Sequence, residues 1–253
     1  MSRVQLFTGE KNLNLSIQGK IDKAVTTRVK GIPLSYIVKE REFFGRTFFV
    51  NEDTLIPRPE TEILVEVALK IIDKYYQAKD ISPEILDVGT GSGCIAVSLT
   101  SERPDCRMTA LEISKKALRI ARKNINFHGL QKKVRLLRSD LFSALEGQKN
   151  KKWDIIVANP PYIAEGEMMS LPKEVQKEPR IALNGGSGGT EIIDRILCQA
   201  PAFLKEEGWL MIEIGTGQAE ILRKQFLGER EFKNISFIKD FTGIDRVLTL
   251  QKI

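Results

Sequence analysis

From Glu84 onward the chain alternates short aliphatic and β-branched runs with segments of helical period, and most of the short runs have no polar face. ILDV, MTALE, VRLLR, WDIIVA and WLMIEI read as five strands. A strand that is apolar on both sides belongs inside a sheet covered on both faces, the situation of a parallel sheet flanked by helices. Helical periods fill the gaps: IAVSLTS, then SKKALRIARKNINFHG with Ser114 as cap and Gly129 as stop, then GTEIIDRILCQAPAFL. The alternation predicts an α/β fold with a doubly wound, mostly parallel, seven-stranded Rossmann-like sheet. After a helix from Gln218 to Phe226, ISFIKD and DRVLTLQKI flank the turn-like FTGI. They predict a terminal antiparallel hairpin and hence an antiparallel edge.

The stretch before Glu84 has another pattern. Ile21, Ala24, Val25, Arg28 and Val29 suit a short helix ending at Gly31. YIVKEREFFGRTFFV reads as two strands turning at Gly45-Arg46, and a helix from about Thr61 to Gln77 follows. The polar QAKDISPE is the expected linker. The organisation is therefore 1–35, a helical segment; 36–83, a β-hairpin with its connecting helix; and 84–253, the α/β domain.

With 253 residues and 42% hydrophobic content the chain can bury one sizeable core. No run approaches the roughly 20 apolar residues of a membrane span, and MSRVQLFTGEKNLN lacks the layout of a signal peptide, so no membrane role and a cytoplasmic location are expected. Cys94, Cys106 and Cys198 form no C-x-x-C pair and are expected to be buried thiols. Residues 101–150 hold 12 Lys and Arg against 5 Asp and Glu, with no carboxylate between Ile113 and Ser139. Such a face suits RNA or an acidic protein, and it equally suits the solvated side of a helix whose Ala117, Leu118, Ala121 and Ile125 face inward.

The first strand runs into DVGTGSGC. Gly89, Gly91 and Gly93, with Thr90 and Ser92 between them, allow a tight turn and close approach of backbone to a ligand before the next helix. A dinucleotide fingerprint wants Gly or Ala where this chain has Cys94, and Glu112 at the end of the second strand could accept from ribose hydroxyls in either kind of site. Asp87 discriminates: a carboxylate at the loop's mouth repels a pyrophosphate but suits the ammonium and sulfonium of S-adenosylmethionine. Asp140, after the third strand in LLRSDLF, is placed to accept from an adenine amino group.

The fourth strand ends at Ala158, so NPPY emerges at the carboxyl edge of the sheet beside the glycine loop. Pro160 and Pro161 offer no N–H and hold a stiff corner. The Asn159 side-chain oxygen and the Pro160 carbonyl can together accept both hydrogens of an –NH2 group, turning its nitrogen lone pair toward an electrophilic methyl. Tyr162 can pack on a planar amide or base. The lone His128 in NFHGL is expected to be solvated at a helix end.

NPPY with a D-x-G-x-G-x-G loop resembles the amino-methyltransferases. GIPLSYIVKEREFFGRTFFVNEDTLIPRPETE together with ANPPYI, EPRIALNGGSGG and IEIG resembles the glutamine methyltransferases of peptide chain release factors, the PrmC or HemK family. The likeness covers Ile21 to Ile253. It implies methylation of the glutamine amide in a Gly-Gly-Gln motif, with S-adenosylmethionine as donor, S-adenosylhomocysteine as product and no metal. On this chain Asn159, Pro160 and Tyr162 would be catalytic, and Pro161 and Arg58 would join them in binding the substrate. Asp87, Gly89, Thr90, Gly91, Ser92, Gly93, Glu112, Asp140, Leu141 and Asn159 would hold the donor, with Leu141 against the adenine. Arg58 to Thr61 would close the site near the methionine end. The implied partner is a release factor, met by a monomer with no need of nucleic acid. The family usually opens with a longer helical domain that grips the release factor; about thirty residues precede GIPLSYI here, a shortened segment. The rival readings are an adenine amino-group methyltransferase acting on DNA or RNA, which would share NPPY, and a non-catalytic nucleotide-binding module, which leaves Asn159 unexplained.

Overall fold

The computed structural model describes residues 15–76, 81–148, 151–226 and 231–253. The chain enters through α1 (Leu15–Val29), α2 (Leu34–Val38), the hairpin β1 (Glu40–Phe43) and β2 (Arg46–Phe49), and α3 (Pro59–Tyr75). Then come β3 (Glu84–Val88), α4 (Cys94–Glu102), β4 (Arg107–Glu112), α5 (Lys115–Phe127), β5 (Val134–Arg138) and β6 (Trp153–Ala158). After a long connection the chain closes with α6 (Glu191–Gln199), β7 (Leu204–Glu213), α7 (Gln218–Gln225), β8 (Phe232–Lys239) and β9 (Asp245–Lys252).

Seven strands form one sheet in the order β5-β4-β3-β6-β7-β9-β8. The first five pair in parallel, as their two-sided apolar character predicts. β6 is buried at every position. The core accordingly has two layers. Leu64, Ala68 and Ile72 of α3 and Val97 and Leu99 of α4 pack on one face with Ile85, Ile155 and Met211. Ile193 and Ile196 of α6 and Leu222 of α7 pack on the other with Leu86, Ile156, Leu210 and Leu248. The strand order reverses at β3, whose neighbours are β4 and β6. Crevices at the carboxyl edge of such a switch point are where ligands of open α/β sheets bind.

The terminal hairpin is antiparallel as expected, but its later strand lies inside: β9 pairs with both β7 and β8, leaving β8 at the edge. Burial explains the order. Val247 to Gln251 are buried without interruption, whereas β8 alternates and can tolerate one wet side. Three further details of the sequence reading change. Tyr36, Ile37 and Val38 belong to α2 and not to a strand, and Lys39 in the left-handed region (φ 64°) ends that helix. The hairpin turns at Phe44-Gly45, with φ 50° and 67°, so Arg46 already pairs with Phe43. Two central residues of positive φ match the right-handed twist of the strands, and the Phe44 amide is held by donating to Glu62 Oε1 at 2.8 Å. Cys94 and Cys106 are buried, but Cys198 is exposed because α6 turns Ile193 and Ile196 inward instead.

Of the expected linker, residues 77–80 lie outside the described residues, as do residues 1–14 of the amino-terminal segment. α1 buries none of its side chains. His128 caps α5, and its ring lies 2.9 Å from the Thr47 carbonyl. Ser114 caps the other end, its Oγ accepting from the Ala117 amide at 3.2 Å. No helix among the described residues is long and apolar enough to cross a membrane.

Candidate active site

A cavity of about 300 Å³ opens at the carboxyl edge of β3, β4 and β6. Gly89, Thr90, Gly91 and Ser92 form its floor, Glu112, Asp140 and Leu141 one side, and Asn159 and Pro161 another. The glycine loop is pinned from below: the amides of Gly89 and Thr90 both donate to the Leu111 carbonyl at 2.9 Å. Gly89, Gly91 and Gly93 have φ of 77°, 56° and 82°, and side chains at Gly89 or Gly91 would be strained by the backbone alone. Gly93 has a second reason to be glycine, because a Cβ there would stand 3.4 Å from Ala121 of α5. Buried Asn124 completes the support. Its Nδ2 donates to the Ser92 and Phe49 carbonyls at 2.8 and 3.0 Å, and its Oδ1 accepts from the Phe49 amide at 2.8 Å.

Glu112 lines the cavity with both oxygens already engaged. Oε2 accepts from the Gly91 amide at 2.9 Å and Oε1 from the Ser114 amide at 2.8 Å. Burial nonetheless raises its pKa above the usual carboxylate range. Asp140 is exposed, beyond the last residue of β5, and pairs with Arg195 of α6 at 3.0 Å. Asp87 lies lower than its sequence position suggests: it is fully buried beneath the loop and does not line the cavity. Its Oδ2 accepts from the Thr90 hydroxyl at 2.5 Å, while Oδ1 has no partner. Burial, opposed by that hydrogen bond and reinforced by Glu112, lifts its pKa to about 7. No lysine or arginine offsets it among the described residues. The loop backbone, two acids and an uncompensated buried carboxylate fit a ligand with hydroxyls at one end and positive charge at the other.

A second cavity of about 340 Å³ lies on the far side of the NPPY corner, lined by Arg58, Glu60, Pro160, Tyr162, Leu171 and Arg246 among others. Asn159, Leu55 and Ala182 line both cavities. The proline corner thus stands between the two cavities, with Pro161 lining the first, Pro160 the second and Asn159 both. An acceptor held in one chamber and a donor in the other would meet at this amide.

The corner is tightly braced. The Gln218 side chain donates from Nε2 to the Tyr162 carbonyl at 3.0 Å and the Gly189 carbonyl at 2.9 Å, and its Oε1 accepts from the Gly215 amide at 2.8 Å. The NGGSGG segment crosses the back so closely that a Cβ on Gly185 would stand 2.7 Å from the Tyr162 Cα and 2.8 Å from the Pro161 carbonyl. The Tyr162 hydroxyl donates to Glu213 Oε1 at 3.5 Å. Arg58 lines the second cavity, not the first, and donates to Glu178 Oε1 at 2.5 Å. Glu178 Oε2 accepts from the Ile56 amide at 2.9 Å, so the EPRIAL and IPRPE segments are clipped together over the site. Thr61, by contrast, lines the first cavity.

Glu213, Asn124, Gln218 and Glu178 carry no role in the sequence reading, although Glu213 stands in IEIG and Glu178 in EPRIAL. Each is a buried polar residue in an otherwise apolar or loop context, which is the signal that could have marked it. Lys115, Arg119 and Arg122 are exposed on α5, away from both cavities.

A family model described as methyltransferase small domain matches residues 65–186, which contain the glycine loop and the NPPY corner. The chain is 39% identical over 252 residues to the release factor glutamine methyltransferase of Koribacter versatilis, covering 99% of this chain and 86% of that protein. It is 41% identical over 255 residues to that of Rhodopirellula baltica, covering 99% and 84%. Among solved structures, the hMettl16 catalytic domain in complex with MAT2A 3'UTR hairpin 6 superposes with a TM-score of 0.64 at 18% identity, over 86% of this chain and 79% of that one. At that identity the likeness concerns the fold.

Proposed function

Because the chain belongs to the release factor glutamine methyltransferase family, we infer that it methylates the side-chain amide nitrogen of the glutamine in the Gly-Gly-Gln motif of peptide chain release factors. S-adenosylmethionine supplies an electrophilic methyl group and leaves as S-adenosylhomocysteine. The observation that carries the reading is the pair of cavities on either side of the NPPY corner, both lined by Asn159.

Each residue then has a task. The glycine loop and Glu112 bind the donor, Glu112 through the lone pairs left over from Gly91 and Ser114. Asp87 contributes negative charge from below, and Asp140 and Leu141 border the base. Asn159 Oδ1, buried and without a partner in the protein, accepts one hydrogen of the acceptor amide. The Pro160 carbonyl accepts the other. A carboxamide delocalises its nitrogen lone pair into the carbonyl, so in-line attack requires taking that pair out of conjugation. Two fixed acceptors favour this, because they hold the hydrogens in a chosen plane and stabilise positive charge as it grows on nitrogen. Tyr162, braced at its carbonyl and hydroxyl, packs against the amide plane. Pro161 and Arg58 shape the two chambers. A substrate from the translation machinery puts the enzyme in the cytoplasm.

The test is methyl transfer from labelled donor to an intact release factor, to its glutamine-to-alanine variant and to adenine-containing DNA and RNA in parallel. Label is expected on the intact factor alone. Label on nucleic acid with submicromolar affinity at physiological salt, falling steeply as salt is added, would instead assign the basic face of α5 and β5 to a nucleic-acid substrate.

A further inference from the structure

A cavity of about 420 Å³ lies at the opposite edge of the sheet, where β3, β4 and β6 begin and the chain enters β5. Strand register explains why it is open. Leu86, Leu111 and Leu137 share one face of the sheet and pack in its second apolar layer. Two residues earlier on that face stand Glu84, Thr109 and Arg135, with Arg107 beyond Thr109. A covered parallel sheet carries apolar side chains at such positions. Here the layer stops short of the edge and leaves a charged corner bare. Five cationic side chains line it against two carboxylates. Both carboxylates are already paired, Glu84 with Lys151 at 4.0 Å and Asp105 with Arg103 at 3.0 Å. Lys133 donates to the Pro104 carbonyl. Arg107, Lys132 and Arg135 have no carboxylate partner among the described residues. Strand spacing and rise put the Cα atoms of Arg107 and Arg135 roughly 8 Å apart on one face, so their repulsion goes uncompensated unless an anion lies between them. Two donors from the interior meet the same space. Thr109 is 5% exposed and Trp153 1% exposed. The Thr109 hydroxyl and the Trp153 indole N–H have no hydrogen-bond partner among the described residues, yet neither atom is sealed from solvent, so each opens to the cavity that both residues line.

We propose that this corner is an oxyanion site for a compact polyphosphate, either free diphosphate or triphosphate or the phosphate chain of a nucleotide. Each of its unpaired groups can donate. The guanidinium forks of Arg107 and Arg135 each match two oxygens of a phosphate, Lys132 adds charge, and Thr109 and Trp153 give one donor each. A single carboxylate satisfies one fork and leaves the other unpaired, whereas linked phosphates reach both. The cavity falls within the roughly 300 to 1,000 Å³ of small-molecule sites, and its concave shape suits a compact anion better than a strand that tracks a surface. The site also gives a task to Lys132, Lys133 and Arg135 of the basic block, which the amide-methylating site does not use. It stands at the amino ends of the strands whose carboxyl ends carry the glycine loop and the NPPY corner, so its occupant touches neither donor nor acceptor. It does not depend on the methylation reading.

The experiment titrates the intact, donor-free protein with inorganic pyrophosphate at about 0.15 M salt and follows the indole N–H signals by nitrogen-15 NMR. The chain has two tryptophans, Trp153 and Trp209, and Trp153→Phe identifies the first. Pyrophosphate should shift the Trp153 signal and leave Trp209 in place, adenosine triphosphate should compete with it, and S-adenosylmethionine affinity should be unchanged. Arg107→Gln and Arg135→Gln should each weaken pyrophosphate about tenfold, the scale of a charge-assisted contact, and Thr109→Val about threefold. Arg119→Gln combined with Arg122→Gln removes two exposed cations from α5 and controls for net charge; it should cost less than about twofold. A Trp153 signal unmoved at about 10 mM pyrophosphate, or a loss in the α5 control as large as in the arginine variants, overturns the site. A short single-stranded RNA that binds more tightly than pyrophosphate and is lost with the same two arginines would overturn the compact ligand and give the corner to a nucleic-acid backbone.

Discussion

Glu112 offers a sharp separation between a residue that holds the donor and one that merely holds the loop. Its two oxygens accept from the amides of Gly91 and Ser114 at 2.9 and 2.8 Å, and the side chain is 8% exposed. Replacing it by glutamine keeps the volume, but turns one oxygen into an NH2 that faces an N–H. One charge-assisted hydrogen bond becomes a neutral one and the other becomes a contact between two donors. Hydrogen bonds to charged groups are worth about 1.5 to 3 kcal/mol, so folding stability should drop by about 2 kcal/mol, or by about 4 to 8 °C in melting temperature. Donor affinity should fall by a further 1.5 to 3 kcal/mol, roughly 10- to 150-fold in Kd, because the remaining lone pairs are the ones offered to the donor's hydroxyls. Calorimetric titration with S-adenosylmethionine, at a temperature where melting curves show both proteins folded, measures the two effects apart. A variant that melts earlier yet binds the donor as tightly as the parent would reduce Glu112 to a strut for the glycine loop and refute its role as a ligand.

The other predictions concern neighbouring parts of the site. Asn159→Ala should slow single-turnover methylation by about a hundredfold to a thousandfold, the usual loss for one preorganised polar group, with donor affinity unchanged. Equal losses in rate and donor affinity would contradict that role, and Asn159→Asp should be slow while binding the cationic donor as well or better. Gly185→Ala should cut activity sharply and lower stability by about 1 to 3 kcal/mol, since its Cβ would lie 2.8 Å from the Pro161 carbonyl and 2.7 Å from the Tyr162 Cα; a fully active, stable variant would show the corner to be less rigid than drawn. Asp87 is raised from 3.8 to about 7 by burial, so the stability it contributes is present below pH 3.8 and is lost as pH climbs through 7. Denaturation of the parent and Asp87→Asn across that range should show the variant's curve flatter, by up to about 4 kcal/mol at about 1.4 kcal/mol per unit.

How much of this was legible in the sequence depends on whether a feature is local. The five parallel strands, the helices between them, the Ser114 cap and the glycine loop all follow from periodicity and φ preference within a dozen residues, and these survive into the fold because the core rewards the same pattern. NPPY was legible for the same reason: a strand that ends in two prolines must leave an asparagine at the sheet's edge. The slips were also local ones, at places where tertiary contact overrode preference. Tyr36 to Val38 have strand-like side chains but sit in α2, where the Tyr36 hydroxyl donates to the Thr54 carbonyl at 2.6 Å. The inward position of β9 required knowing which hairpin strand would find cover on both faces.

The sequence by itself determined the covered parallel sheet and the chemistry available at the loop and the corner. Only the tertiary structure decided which groups are free to use that chemistry. Asp87 and Asp140 read alike as acids after strands, yet one is sealed beneath the loop and the other is exposed and paired with Arg195. Thr61 reaches Asn159 across 98 residues, and Arg58 reaches Glu178 across 120. No pattern in a window of sequence encodes such pairs, because a side chain's hydrogen-bonding partner and its desolvation are set by whatever the closed chain brings against it.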